Sequence, residues 1–305
     1  MGWTARNIPD QSGRTAVVTG ANSGLGYVTA RELARRGARV VLACRSTRRG
    51  TEARERLLRE VPEAQAEFRQ LDLADLASVR AFAEALPSER LDLLVNNAGL
   101  MAVPYARTVD GFEMQFGVNH LGHFALTGLL LERLLATPGA RVVTVSSLAH
   151  ALSNIDMNDL NSERSYGRWQ AYGASKTANL LFVRELARRA DAKGLDLRAT
   201  AAHPGYSSTE LQTKGPRLEG RRGSERFMRL GNALVGSSPE LGAAPVLYAA
   251  TAAGARSDSF SGPRILGVRG GPGPSWRAPW TRNDVAAERL WGASEHLTGI
   301  TFKEL

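Results

Sequence analysis

A single cysteine, Cys44, stands in the 305 residues. No intrachain disulfide can form, and the count suits a reducing compartment. Cys44 lies inside an apolar run, which predicts a buried, unreactive thiol. No stretch reaches the ~20 consecutive apolar residues that a membrane-spanning helix requires. Residues 1–13 lack the apolar core of a secretory signal. These absences predict a soluble, cytoplasmic protein with no membrane partner. Histidine is scarce, at five residues. His120 and His123 lie three apart, but no third ligand is in view, so no metal site is expected and packed or hydrogen-bonded roles are. The net charge of +9 comes almost wholly from arginine. Those arginines, Arg31, Arg35, Arg54, Arg56 and Arg184 among them, are scattered among glutamates. A basic stripe with interleaved aromatics is lacking, which argues against nucleic-acid binding.

What is present is a rhythm. The length suits one large α/β domain. Short apolar runs read as strands at residues 14–20, 38–43, 66–71, 91–95, 141–146 and 197–202. Amphipathic segments between them read as helices at 24–36, 47–60, 76–86, 112–135 and 172–190. Such alternation predicts a doubly wound parallel sheet with helices on both faces. Residues 153–170 are polar and read as an insert. Residues 206–238 are rich in Gly, Arg and Ser, and a loop so long predicts a substrate lid. Next come a helix at 239–250, a last strand at 261–267 and a breaker at 270–274. A final helix follows at 284–298, capped by Asn283 and stopped by Gly299. No repeat and no interdomain linker is visible.

Two local patterns carry chemistry. Gly20, Gly24 and Gly26 follow a strand and open a helix. A dinucleotide pyrophosphate needs that tight turn and the free amides at a helix N-terminus. Tyr172 and Lys176 are four apart, so a helix sets them on one face. A phenol beside an ammonium is a proton-transfer pair. Tyr166 is a decoy, since residue 170 is Gln.

With Thr19-Gly20-Ala21-Asn22-Ser23-Gly24-Leu25-Gly26, Asn96-Asn97-Ala98-Gly99, Tyr172-Gly-Ala-Ser-Lys176 and Pro204-Gly205 in order and spacing, the chain resembles the short-chain dehydrogenase/reductase family over residues 13–209. Asn119-His120-Leu-Gly-His123-Phe124 and His203-Pro-Gly are similar to its retinol dehydrogenase branch and bacterial relatives. The resemblance implies a Rossmann-type fold binding a nicotinamide dinucleotide. It implies that Asp72 and Leu73 frame the adenine, although Asp72 also reads as a helix cap that Asp75 could supply. It places Asn97, Ala98 and Gly99 at the cleft, and Pro204, Gly205, Ser207 and Thr209 near the nicotinamide; Ser207 occupies a usually aliphatic position. It makes Ser147, second of the pair Ser146-Ser147, the catalytic serine, and gives Asn119 a bend holding a water linked to Lys176.

The second strand ends at Cys44-Arg45-Ser46, where no acid awaits a ribose 2′-hydroxyl. Arg45 there would pair a 2′-phosphate, so NADP(H) is expected over NAD(H), with NAD(H) possible. Arg48 and Arg49 fit a phosphate contact or a solvated surface equally well.

Hydride transfer to a carbonyl leaves an alkoxide that needs a proton. An ammonium ~5 Å from a phenol at an effective dielectric of ~20 is worth about 3 kcal/mol. That would bring Tyr172 from ~10 to roughly 8. The expected activity is carbonyl–alcohol interconversion on a small molecule, with Met101, Tyr105, Leu148 and Tyr206 as candidate walls. The alternative is a dinucleotide-binding regulator without catalysis, whose relatives lose the tyrosine or lysine. The resemblance also implies pairing through the two long helices, 112–135 and 172–190, into a homodimer or homotetramer.

Overall fold

The structure is a computed structural model and describes residues 2–87, 89–205, 238–265 and 267–305. All of the expected lid except Ser238 lies outside the described residues, and with it Tyr206, Ser207 and Thr209.

Among the described residues one sheet holds eight strands: β1 Thr15–Thr19, β2 Arg39–Cys44, β3 Ala66–Gln70, β4 Leu93–Asn96, β5 Ala140–Val145, β6 Leu197–Ala202, β7 Phe260–Ile265 and β8 Arg269–Pro274. Their order is β3-β2-β1-β4-β5-β6-β7-β8. Every pair is parallel except β7 with β8. β4 and β5 are buried throughout, as apolar strands covered on both faces must be. Period-2 alternation assigns Val17 to one core, and Ala16 and Val18 to the other.

The helices that fill those cores are α1 Gly24–Arg35, α2 Thr47–Glu60, α3 Leu76–Glu84, α4 Met114–Phe116, α5 Gly122–Leu129, α6 Leu131–Leu135, α7 Arg168–Ala192, α8 Pro239–Thr251 and α9 Asp284–Thr298. Leu33 of α1, Leu57 of α2 and Val246 of α8 cover one face. Phe82 of α3, Phe124 of α5, Leu180 of α7 and Trp291 of α9 cover the other. The doubly wound expectation holds, and α9 carries its expected cap: Asn283 accepts from the Ala286 amide, and Gly299 turns left-handed at φ 63°.

Two expectations are corrected. Residues 112–135 are not one helix. A π turn, Gly117–Leu121, separates α4 from α5, with the Gly122 amide reaching back five residues to the Gly117 carbonyl. Residues 270–274 are not a break but part of β8. Glycine and proline read as a stop, yet an edge strand bonds on one side only and tolerates both.

Candidate active site

Between β1 and β4 the strand order reverses, which is where an open α/β sheet leaves a crevice at its carboxyl ends. A cleft of about 630 Å³ opens there. Its inner rim is the turn from β1 into α1. Gly20 adopts φ +67°, a region that side chains disfavour. At Gly26 a Cβ would fall on the Asn97 side chain and lie 2.5 Å from the Gly20 carbonyl oxygen. Ser23 caps α1 without a side-chain bond, so its hydroxyl and the first amides of the helix remain for an anion.

The opposite wall is fixed by Thr19 and His123, both fully buried. His123 Nδ1 lies 3.1 Å from the Asn119 carbonyl oxygen, which can only accept. Nδ1 therefore carries the proton, and Nε2 accepts from the Thr19 hydroxyl at 2.9 Å. The Thr19 oxygen then accepts from the Asn97 and Ala98 amides, each at 2.9 Å. Asn97 Nδ2 donates to the Thr19 carbonyl at 2.7 Å. Burial holds the His123 pKa down at about 4, so the ring stays neutral. The hydrogen-bonded role expected for His123 is thus a clamp on the Asn97–Gly99 turn.

Asn119, in the π turn, is likewise committed. Its Oδ1 accepts from the Leu100 amide at 2.7 Å, and Nδ2 donates to the Leu100 carbonyl and to Ser175 Oγ at 2.9 Å each. The side chain lies behind the cleft rather than on its surface.

The floor is α7. Tyr172 and Lys176 lie one turn apart and both are buried. The Lys176 ammonium sits over the Tyr172 ring, 5.7 Å from its centroid, and donates to the Val145 carbonyl at 3.1 Å. Ser146 spends its hydroxyl on the Lys176 carbonyl at 2.9 Å. Ser147 lies beside Tyr172 in the cleft, and its Oγ accepts from the Ala149 amide at 3.1 Å.

The expected phenol poise near pH 8 is not met in the free protein. Burial pushes Tyr172 up to about 12, partly offset by Ser147, and pushes Lys176 down to about 8. Both groups lose water in one buried floor, and desolvation disfavours the charged form of each.

At the far end the cleft reaches Arg45, Ser46 and Arg49 after β2, and Asp72 and Leu73 after β3. Arg45 is exposed, whereas Arg48 is ion-paired with Glu52 at 2.7 Å and lies off the cleft. Asp75, not Asp72, caps α3, accepting from Ala77 and Ser78. Asp72 is left at the cleft wall, its Oδ1 accepting from the Ala74 amide at 3.0 Å. Cys44 also lines the wall, its thiol raised by burial to about 12.

Thus Gly20, Asn22, Ser23, Gly24, Leu25, Gly26, Asn97, Ala98, Gly99, Ser147, Tyr172, Lys176, Pro204 and Gly205 come together around one cavity. Of the candidate substrate walls, Met101 and Leu148 belong to it. Tyr105 instead packs edge-on against Tyr166, whose hydroxyl donates to the Val103 carbonyl at 2.8 Å. Leu152, Trp169 and Val268 line the cleft without having been anticipated. Trp169 was accessible to reasoning, since it precedes Tyr172 by three on the same helix face. Among the described residues no helix is long and apolar enough to cross a membrane.

The chain matches the short chain dehydrogenase family over residues 14–217. It is 43% identical to retinol dehydrogenase 12 of Homo sapiens over 304 residues, covering 99% of this chain and 92% of that protein. Retinol dehydrogenase 13 of Homo sapiens is 42% identical over 291 residues, covering 94% and 85%. Among solved structures, an uncharacterized protein from Mycobacterium paratuberculosis shares the fold at TM-score 0.82 and 48% identity, with 99% of each chain covered. The Pseudomonas aeruginosa RhlG/NADP active-site complex does so at TM-score 0.63 and 26% identity, covering 82% of this chain and 94% of that one. The chain therefore belongs to the short-chain dehydrogenases and is an oxidoreductase acting on CH–OH groups. Within that family it is retinol dehydrogenase-like.

Proposed function

We propose that this chain is an NADP(H)-dependent oxidoreductase that interconverts a lipophilic carbonyl compound and its alcohol. The observation that carries the reading is a single cleft with a glycine turn and Arg45 at one end and Tyr172, Lys176 and Ser147 at the other. Pyrophosphate fits the α1 N-terminus, where Ser23 and the leading amides lack partners of their own. Arg45, with Arg49 beside it in the cleft, would take a 2′-phosphate. When bound, the nicotinamide supplies or accepts a hydride.

The residues of the chain handle the proton. A phenol raised to about 12 keeps its proton at neutral pH and can release it to an alkoxide as charge develops there. Ser147, beside Tyr172 in the cleft, orients the substrate oxygen and stabilises its charge. Lys176, charged below about pH 8, stabilises the phenolate left behind. Asn119 acts as a positioning group, tying Leu100 to Ser175 beneath the floor. Met101, Leu148, Leu152 and Trp169 make the substrate side apolar, which favours a lipophilic molecule.

The test is a panel of aldehydes, ketones and alcohols assayed with NADPH and NADH in parallel. Turnover of apolar carbonyls with a higher kcat/KM for NADPH is expected. A higher kcat/KM with NADH removes the phosphate assignment. Cofactor binding without turnover of any member favours the regulator.

A further inference from the structure

Two buried histidines behind the substrate end have no part in the proton path just described. His150 lies in the short 3₁₀ turn Leu148–Leu152 that follows Ser147. Its Nδ1 is 2.6 Å from the Ser147 carbonyl oxygen, an obligate acceptor. Its Nε2 receives the Ala278 amide at 3.1 Å, an obligate donor. The proton therefore sits on Nδ1, and Nε2 is bare. His203, just after β6, has the opposite arrangement. The Gly205 amide donates to its Nδ1 at 3.1 Å, so Nε2 holds the proton and donates to Ser275 Oγ at 2.7 Å.

Ser275 and Ala278 belong to one short stretch after β8. Within it, Trp276 stacks on the His150 ring at 5.5 Å and 29°. Arg277 anchors the stretch by bonding Asp258 Oδ1 at 2.6 Å and the Thr281 carbonyl at 2.9 Å. Both imidazoles also rest against Phe260 of β7. One stretch, through the Ser275 hydroxyl and the Ala278 amide, thus meets by way of two rings the loop that presents Ser147 and the loop that presents Gly205.

We propose that residues 275–278 brace the active site, with His150 as the positioning residue for Ser147 and His203 as that for the Pro204-Gly205 turn. The inference rests on the oxidoreductase reading above and adds to it the part that fixes the serine. A carbonyl held by a ring that is itself pinned cannot rotate freely, so the Ser147 hydroxyl keeps one direction. A second proton on His150 would set an N–H against the Ala278 N–H and break the brace. The charged and titratable groups facing His150 are Arg277, already matched by Asp258, and His203. Arg277 and burial both oppose that proton, so the break falls below the ordinary histidine range.

Two measurements on the full chain test the proposal. His150→Phe keeps a ring against Trp276 and Phe260 but removes both hydrogen bonds, and His150→Asn restores a donor near Ser147. The Phe variant should lose kcat by roughly 10²-fold, the scale of an ångström-sized misplacement. Its NADPH Kd, read by fluorescence titration, should be unchanged, and the Asn variant should regain part of kcat. A Phe variant that turns over like wild type overturns the proposal, as does one in which kcat and NADPH affinity fall together.

The second measurement needs no folded His150 variant. A charged imidazole quenches a stacked indole, so the fluorescence difference between wild type and Trp276→Phe reports His150 directly. On acidification, quench and loss of turnover should run together. Turnover that persists through the quench overturns the brace, yet leaves the oxidoreductase reading intact.

Discussion

At the glycine-turn end of the cleft the walls are main chain. Gly20 bends through a positive φ, Gly26 leaves no room for a methyl group, and the Asn97–Gly99 turn hangs on Thr19 and His123. At the Tyr172 end the walls are side chains whose properties come from burial. The first end is a shape and works as soon as it folds. The second is a pair of ionisable groups held out of water, with Tyr172 pushed to about 12 and Lys176 to about 8 in the free protein. On the proposed function, one cleft separates holding from reacting, and the two should fail separately when broken.

The largest effect is expected from Tyr172→Phe. It removes the proposed proton donor and should lower kcat by roughly 10²–10⁴-fold, the usual worth of a general acid. NADPH affinity by fluorescence titration should hold. Turnover like wild type would take Tyr172 out of the mechanism.

Arg45→Ala strikes the far end. Losing charge-assisted hydrogen bonds of about 1.5–3 kcal/mol should cost roughly 10- to 150-fold in kcat/KM with NADPH and nothing with NADH. No loss with either cofactor would return Arg45 to the solvated surface, and equal losses with both would remove the 2′-phosphate assignment. Gly26→Ala sets a methyl group against Asn97 and the Gly20 carbonyl. Overpacking of about 1–3 kcal/mol should weaken NADPH binding by roughly 5- to 150-fold, with kcat at saturating cofactor retained. Loss of kcat instead would show that the two ends are mechanically coupled.

The gentlest probe is pH. Lys176 is charged below about 8 and neutral above, because burial depresses a base. Carbonyl-reduction kcat/KM should therefore hold at neutral pH and fall, by at most about tenfold per unit, as pH rises through about 8. A profile flat to pH 10, with kcat/KM unchanged, would deny Lys176 a charged role in the free enzyme.

Much of this site could be read from residue order because its parts are local. Three glycines between a strand and a helix announce a phosphate turn, and a four-residue spacing puts Lys176 over the Tyr172 ring. What escaped reading depends on distant partners. The desolvation that raises Tyr172 comes from packing, not from its neighbour in sequence. The resemblance gave Asn119 a bend, but not the partners that consume its side chain, Leu100 and Ser175, 19 and 56 residues away. The tautomer of His150 is set by Ala278, 128 residues on. β8 hid behind its glycines and prolines because composition reports turn propensity, while an edge position relaxes what a strand demands.

That edge has a consequence for how molecules of this protein meet. Pro272 and Pro274 sit in β8, the last strand of the sheet, and neither can offer an amide hydrogen. A flat, fully donating border would template further strands from other chains and seed fibres. Here the border is blunted, so neighbours gathering at this flank must do so by fitting side chains together, not by extending the ladder.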